Sequence, residues 1–350
     1  MPSAVLPVAV PHVAAPSTPT LDSIGVPMLW GVSIAVVVAL VALDFLLTRR
    51  PHAVSMKEAL GWSAFYIALP LVFGAWVWAQ HGSERGVEYL TGYLVEKSLS
   101  VDNLFVFMLL LGAFAVPREL QQRVLLYGIV GALVLRGVFI ALGAAALSAF
   151  DVFFLLFGAI LVVTAVKILR DALSGKAHAV DVGTLRSVKV ARRFFPVTDG
   201  YDGPRMFSRI DGRRALTPLA LVVVAVLATD IVFAVDSVPA VYGITSDPYL
   251  VFVTNAFALL GLRALYFVLE GALSSLTYLG HGLAAILAFI GAKLMLHWGH
   301  LRWESVPEIP TLASLGVVVG ILVVTVVASL LAGDRSKDAA DEPEEQRAQA

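Results

Sequence analysis

Two short segments hold the residues best suited to chemistry. Val95-Glu96-Lys97-Ser98-Leu99-Ser100-Val101-Asp102-Asn103 sets two acids six residues apart inside an apolar stretch, and Thr229-Asp230-Ile231-Val232-Phe233-Ala234-Val235-Asp236-Ser237 repeats the arrangement. Each closes on Val-Asp followed by a small polar residue. Carboxylates, hydroxyls and carboxamides are hard oxygen donors. That set suits Mn²⁺, Mg²⁺ or Ca²⁺, whereas Cu(I) or structural zinc calls for sulfur or several imidazoles. The chain has no cysteine, six methionines and seven histidines, which excludes thiolate metal sites, iron–sulfur clusters, disulfides and thiol nucleophiles. The candidate metal ligands are Glu96, Asp102, Asn103, Asp230, Asp236 and Ser237, with Asn255 beside Thr254 as a supplement. His281, the one histidine well inside an apolar stretch near these acids, reads as a packing residue.

Five basic residues, Lys97, Arg136, Lys167, Arg263 and Lys293, also fall within apolar stretches. A charge in a membrane-spanning helix costs at least about 2.5–3.5 kcal/mol, so acids and bases must face one another or a wet cavity. Ion pairs that only hold helices in register are one reading. The Ser, Asn and Thr oxygens clustered beside the acids favour a site, with the five cations as charge-balancing partners and Arg136 and Arg263 neutralising the carboxylates when no metal is bound. Six residues of regular helix turn a side chain by about 600°, leaving the two acids of each pair about 120° apart. The spacing therefore predicts that both helices are interrupted, near Ser98 and Ser100 in one and at Pro239 and Gly243 in the other. Asp44, near Arg49 and Arg50, reads as an interfacial pair.

The elements that must position these residues are membrane spans. The chain of 350 residues is 59% hydrophobic and 15% charged, with a mean hydropathy of +0.85, against about 45–50% apolar and 25% charged for a soluble domain. Its apolar residues form nine blocks near the length of about 20 that a bilayer requires: 24–47, 57–80, 88–115, 124–147, 152–170, 216–243, 249–270, 275–297 and 310–332. With the N-terminus outside, seventeen of the 25 basic residues fall on the inner side and two, Arg85 and Arg302, outside; the positive-inside rule selects N-out, C-in. The fold class expected is an all-α polytopic membrane protein of about nine helices.

The acid-acid, Arg, Lys order occurs twice. Leu135-Arg136-Gly137 answers to Leu262-Arg263-Ala264, and Gly158-Ala159-Ile160-Leu161 with Lys167 answers to Ala284-Ala285-Ile286-Leu287 with Lys293. Each copy holds three spans (repeat 1 about 88–170, repeat 2 about 216–297), so the second enters the membrane from the other side. Inverted repeats of this kind place a binding site near the bilayer midplane. The connection at about 171–215 is basic; Asp202-Gly203 and Asp211-Gly212 suit a small hairpin, and the composition equally suits an anchor to anionic lipid. The Pro-rich residues 1–23 read as a mobile tail, and the charged 333–350 as a disordered one.

These segments resemble the TerC/Alx family of integral membrane proteins. The resemblance rests on Glu96 to Leu104, on Arg192 with Phe194-Phe195-Pro196-Val197-Thr198, on Ala228 to Ala240, and on Thr254-Asn255-Ala256-Phe257-Ala258 through Gly261 to Phe267. It covers roughly 58–300. It implies a bacterial inner-membrane protein of the lysine-exporter superfamily with two inverted three-helix repeats, manganese efflux and a link to tellurium resistance, with the family's acidic residues at Glu96, Asp102, Asp230 and Asp236.

The reading reached is a secondary exporter of Mn²⁺ or a similar hard divalent ion, with the metal as cargo and no resident cofactor. Its partners are the ion and the lipid bilayer, with no nucleic acid. No Gly-x-x-x-x-Gly-Lys segment offers ATP drive, and no Gly-x-Gly-Asp segment supports an intramembrane aspartic protease, so an enzyme is not expected. The alternative is a membrane organiser in metal or tellurium stress that docks partners through the basic 171–215 connection, a role that altering Arg192 and Arg193 would abolish.

Overall fold

A single apolar run of this length pairs its own backbone N–H and C=O groups only as a helix, and helices are what these runs form. The computed structural model describes residues 23–47, 55–174, 186–198, 200–210, 213–269, 278–303 and 305–348. Its elements in chain order are α1 (Pro27–Leu47), α2 (Met56–Ala113), α3 (Arg118–Ala149), α4 (Val152–Leu173), α5 (Arg186–Phe194), β1 (Phe207–Ile210), β2 (Arg213–Leu216), α6 (Pro218–Tyr242), α7 (Pro248–Leu260), α8 (Leu262–Leu269), α9 (Leu279–His300) and α10 (Thr311–Ala348). Among the described residues seven helices are long and apolar enough to cross a membrane, or eight if α7 and α8, bent by 44°, form one broken span.

The 58 residues of α2 would measure about 87 Å if straight, nearly three times the hydrocarbon thickness. They do not run straight. Gly82 leaves the helix at φ 87, ψ 172, a conformation open to glycine, and the two halves fold back on each other. Tyr89 donates to the Pro70 carbonyl at 3.0 Å, the rings of Phe73 and Tyr89 stand 5.3 Å apart, and Trp78 covers Gly86. Counting α2 as two spans gives nine crossings, the number read from the apolar blocks.

Polar contacts sort the connections to two ends. At one, Asp247 binds the Ser23 hydroxyl at 2.6 Å and the Ile24 amide at 2.8 Å, and Arg302 reaches Asp151 at 3.3 Å; this is the Gly82 end. At the other, Tyr201 donates to the Phe114 carbonyl at 2.8 Å, and burial pushes its phenol up to about 12. This second, basic end carries α5 and the two-stranded antiparallel hairpin β1–β2. Its turn residues 211 and 212 lie outside the described residues, as do 1–22, Arg49, Arg50 and 175–185; the readings of a mobile N-terminal tail and of Arg49 and Arg50 as partners fall there.

Helix starts follow their caps. Thr217 accepts from the Ala220 amide with Pro218 next, and Asp247 accepts from the Tyr249 amide with Pro248 next, the side-chain cap and N1 proline that open a helix. α4 and α9 approach most closely where Gly158 and Gly291 face each other: a Cβ on either would meet the other's carbonyl oxygen below 3.0 Å. Span 3, the second half of α2, packs on α7, and α3 packs on α6. α1 and α10 lie outermost and turn residues such as Val38 and Val324 outward. The charged tail from Gly333 continues α10 as helix to Ala348, its Ala, Glu, Lys and Arg residues being strong helix formers.

Candidate cation site at the centre of the bundle

Five residues from four helices meet halfway through the bundle. On α2, Glu96, Ser100 and Asn103 recur at i, i+4 and i+7 and so share one face. On α6, Asp230 and Ser237 do the same at i and i+7. Between them, from α3, stands Arg136. It forms an ion pair with Glu96, donates through Nη1 to Asn255 Oδ1 of α7 at 2.7 Å and through Nη2 to Asp230 Oδ1 at 3.4 Å. With its amide oxygen turned toward the arginine, Asn103 accepts from Nη2 at 3.1 Å while its nitrogen donates to the Leu99 carbonyl at 3.2 Å. Arg136 is 1% exposed, Glu96 and Asp230 are 0% exposed, so both charge signs are withdrawn from solvent.

Several oxygens here are left over. Glu96 Oε2, Ser100 Oγ, Asp230 Oδ2 and Ser237 Oγ are buried without a hydrogen-bond partner, and a buried polar atom left unpaired costs about 1–3 kcal/mol. These atoms are hard donors, and their residues sit on the two helices that the sequence singles out. Asp102 and Asp236 are half-buried. Each is displaced from its partner acid by about 9 Å along the helix, in opposite directions because the helices are antiparallel. The charges of Arg136 and Asp102 both act on Asp236. Among the described residues no three His, Asp or Glu side chains converge on one point, so the seven expected ligands do not form one shell. Glu96, Asn103, Asp230 and Asn255 meet on Arg136, Ser237 lies on the same face of α6 as Asp230, and Asp102 and Asp236 flank that group.

Four expectations are corrected. The helices carrying the acid pairs are continuous from Ser83 to Ala113 and from Pro218 to Tyr242. Ser98 turns its hydroxyl onto the Leu94 carbonyl at 2.7 Å, a bond back to its own helix, and helix continues through Ser100 and Pro239. The break falls instead at Gly261, between α7 and α8. Second, Arg263 does not balance the acid pairs: its Nη2 binds Asp44 at 2.9 Å and its Nη1 Gln122 at 3.3 Å. Asp44, third, is 2% exposed and also accepts from Tyr66 at 2.9 Å, so it is a buried partner of α8, while the Arg49 and Arg50 of its expected pair lie outside the described residues. Fourth, the lysines serve elsewhere. Lys97 donates to the Ala258 carbonyl at 3.3 Å, at the break, where a helix end leaves carbonyls free. Lys167 is exposed, its stem able to carry the charge toward the headgroups. Lys293 lines a cavity of about 840 Å³ at the Gly82 end with Glu84, Glu88, His297 and Glu308. Of the five cations, Arg136 alone sits between the acids.

Sequence reasoning missed Glu88 and the Asp44–Arg263–Gln122–Tyr66 cluster. Glu88 precedes Glu96 by two turns, about 12 Å, accepts from Arg85 and Thr245 at 2.8 and 2.9 Å, and lines the 840 Å³ cavity. The stripe Glu88, Gly92, Glu96, Ser100, Asn103 at helical spacing was its available signal. His281 stands away from the site, its ring 5.6 Å from Tyr278.

The family described as "Integral membrane protein TerC family" matches residues 81–337. An uncharacterized membrane protein of Myxococcus xanthus is 43% identical over 313 residues, 89% of this chain and 95% of its own. The "Putative membrane-bound redox modulator Alx" of Escherichia coli strain K12 is 41% identical over 317 residues, 88% of this chain and 95% of its own. An uncharacterized membrane protein of Mycobacterium tuberculosis is 41% identical over 315 residues, covering 86% and 79%. No solved structure matches.

Proposed function

The chain belongs to the integral membrane protein TerC family, and on that premise we propose that it is a secondary transporter exporting a hard divalent cation, Mn²⁺ before others, through the site around Arg136. The observation that carries this reading is the charge count at that site. Glu96 and Asp230 bring two negative charges to one guanidinium, and an uncompensated charge in a dry interior costs several kcal/mol. A divalent ion in place of the guanidinium balances both carboxylates and gives the leftover oxygens of Ser100 and Ser237 a partner, while the displaced guanidinium passes to Asp236, whose charge already acts with it. Between loads, Arg136 and one proton supply the same two charges. Exchange of metal for protons is the coupling this count favours.

Helix packing supports the inverted-repeat reading of spans 3–5 and 6–8. Span 3 lies on α7 and α3 lies on α6, the two contacts that a twofold relation between the repeats would interchange, and α4 lies on α9, which the same relation would map onto each other. The cavity at the Gly82 end, reached from Glu96 along the Glu88 stripe, is then the release side. The basic end faces the cytoplasm by its arginines and lysines, in a bacterial inner membrane, with the N-terminus outside. The redox role in the name of relatives reaches this chain only through its metal, since a protein without cysteine has no thiol–disulfide exchange of its own. Manganese efflux and tellurium resistance are its physiological settings, and no enzymatic step or resident cofactor is invoked.

The test is Mn²⁺ flux in proteoliposomes, with Mg²⁺ and Ca²⁺ as competitors. The parent transports, and Glu96→Gln, Asp230→Asn, Asp102→Asn and Asp236→Asn each lower flux at least tenfold while eluting as folded protein. A parent without flux, or folded carboxylate variants with full flux, overturns the exporter reading and favours a membrane organiser acting through α5.

A further inference from the structure

The hairpin at the basic end brings like charges into register. β1 and β2 pair with Arg209 directly opposite Arg214 and Phe207 opposite Leu216, and like charges facing each other across strands are destabilising. Arg205 adds a third guanidinium to the same concavity of about 650 Å³, whose other lining residues are Asp202, Phe207 and Ser208. Asp202 is the one acid among them, and its Oδ2 is already taken by Arg205 Nη1 and Ser208 Oγ, both at 3.3 Å. An anion is what this register lacks.

The position of the hairpin says which anion. Leu216 ends β2 one residue before Thr217 caps α6 and two before Pro218 begins it. Its amide donates to the Pro196 carbonyl at 2.8 Å and its carbonyl accepts from the Thr198 amide at 2.9 Å, which holds the segment at the level where the span begins. Phe194, Phe195, Phe207 and Val190 are 72, 52, 62 and 55% exposed in the same segment. Aromatic rings exposed beside arginines fit the headgroup layer, where rings enter the interface and cations meet phosphate. We propose that Arg205, Arg209 and Arg214 form a binding site for the phosphate of an anionic phospholipid in the cytoplasmic leaflet. Guanidinium forks hold phosphate bidentately, and a bound headgroup relieves the Arg209–Arg214 opposition.

The test is retention of phosphatidylglycerol against phosphatidylcholine by the purified full chain in native mass spectrometry, with inorganic phosphate added as competitor. The parent keeps phosphatidylglycerol preferentially. The Arg209→Gln/Arg214→Gln variant, exposed and outside the spans, loses that preference by roughly 30-fold, from about 1 kcal/mol for each charge near the surface at 1.4 kcal/mol per tenfold. Equal retention of the two lipids by the parent, an unchanged preference in the double variant, or displacement of the lipid by millimolar phosphate would each overturn the lipid assignment. The outcome is independent of metal flux, so failure of the exporter reading leaves it standing.

Discussion

Arg136 carries the densest set of polar contacts in the interior, and its removal has a defined cost. Arg136→Gln strands Glu96 and Asp230 without a cation, and breaking a buried pair by deleting one partner costs about 3–5 kcal/mol. Thermal unfolding in detergent is expected to show that loss as a clearly lowered midpoint. Adding Glu96→Gln to Arg136→Gln should recover part of it, because contacting residues are not additive. A midpoint equal to the parent's in Arg136→Gln would mean the pairing holds nothing. The types and spacing of Glu96, Asp102, Asp230 and Asp236 were legible in the sequence. The choice of partner was not, because it depends on how each helix is rotated: Arg136 and Arg263 occupy matching sequence contexts, yet one meets the acids of spans 3 and 6 and the other meets Asp44 of α1.

At the scale of elements, apolar length located the crossings among the described residues, but the interruptions were misplaced. Ser98, Ser100 and Pro239 were the expected breaks, yet helix runs through all three, and α6 ends only at Gly243. Gly261 sits in a run that reads as continuous helix, and at the 44° bend there Lys97, arriving from span 3, takes the Ala258 carbonyl. The bend also aims Arg263 at α1. Asp44→Asn is therefore expected to destabilise by about 3–5 kcal/mol, since a carboxamide oxygen can still accept from Arg263 but no longer balances its buried charge. Adding Arg263→Gln should return much of that stability by removing the stranded charge. Unchanged unfolding in Asp44→Asn would assign α1 to peripheral packing. The family match begins at residue 81, so this pairing ties the matched bundle to a helix outside it.

For the whole molecule, the alternation of connections between two ends can be read chemically, because a chain without cysteine accepts a single introduced one as reporter. Ser83→Cys at the Gly82 end and Ser174→Cys at the basic end are both exposed positions. In intact cells an impermeant maleimide is expected to label the first, while the second reacts only after lysis. The reverse pattern would invert the topology and the transport direction with it. The charge asymmetry that predicts this orientation was plain in the sequence, whereas the meeting of Arg209 with Arg214 appeared only once strand register was known. The tethered guanidinium at the centre bears finally on the membrane as an electrical insulator. A sodium or potassium ion arriving at Glu96 and Asp230 would replace one positive charge by another and leave the second carboxylate as unbalanced as before, so it gains nothing by entering. Arg136 cannot itself cross, being part of the chain. A protein built this way can sit in an energised membrane, where each elementary charge falling through 100 mV releases about 2.3 kcal/mol, without letting the voltage drain through it.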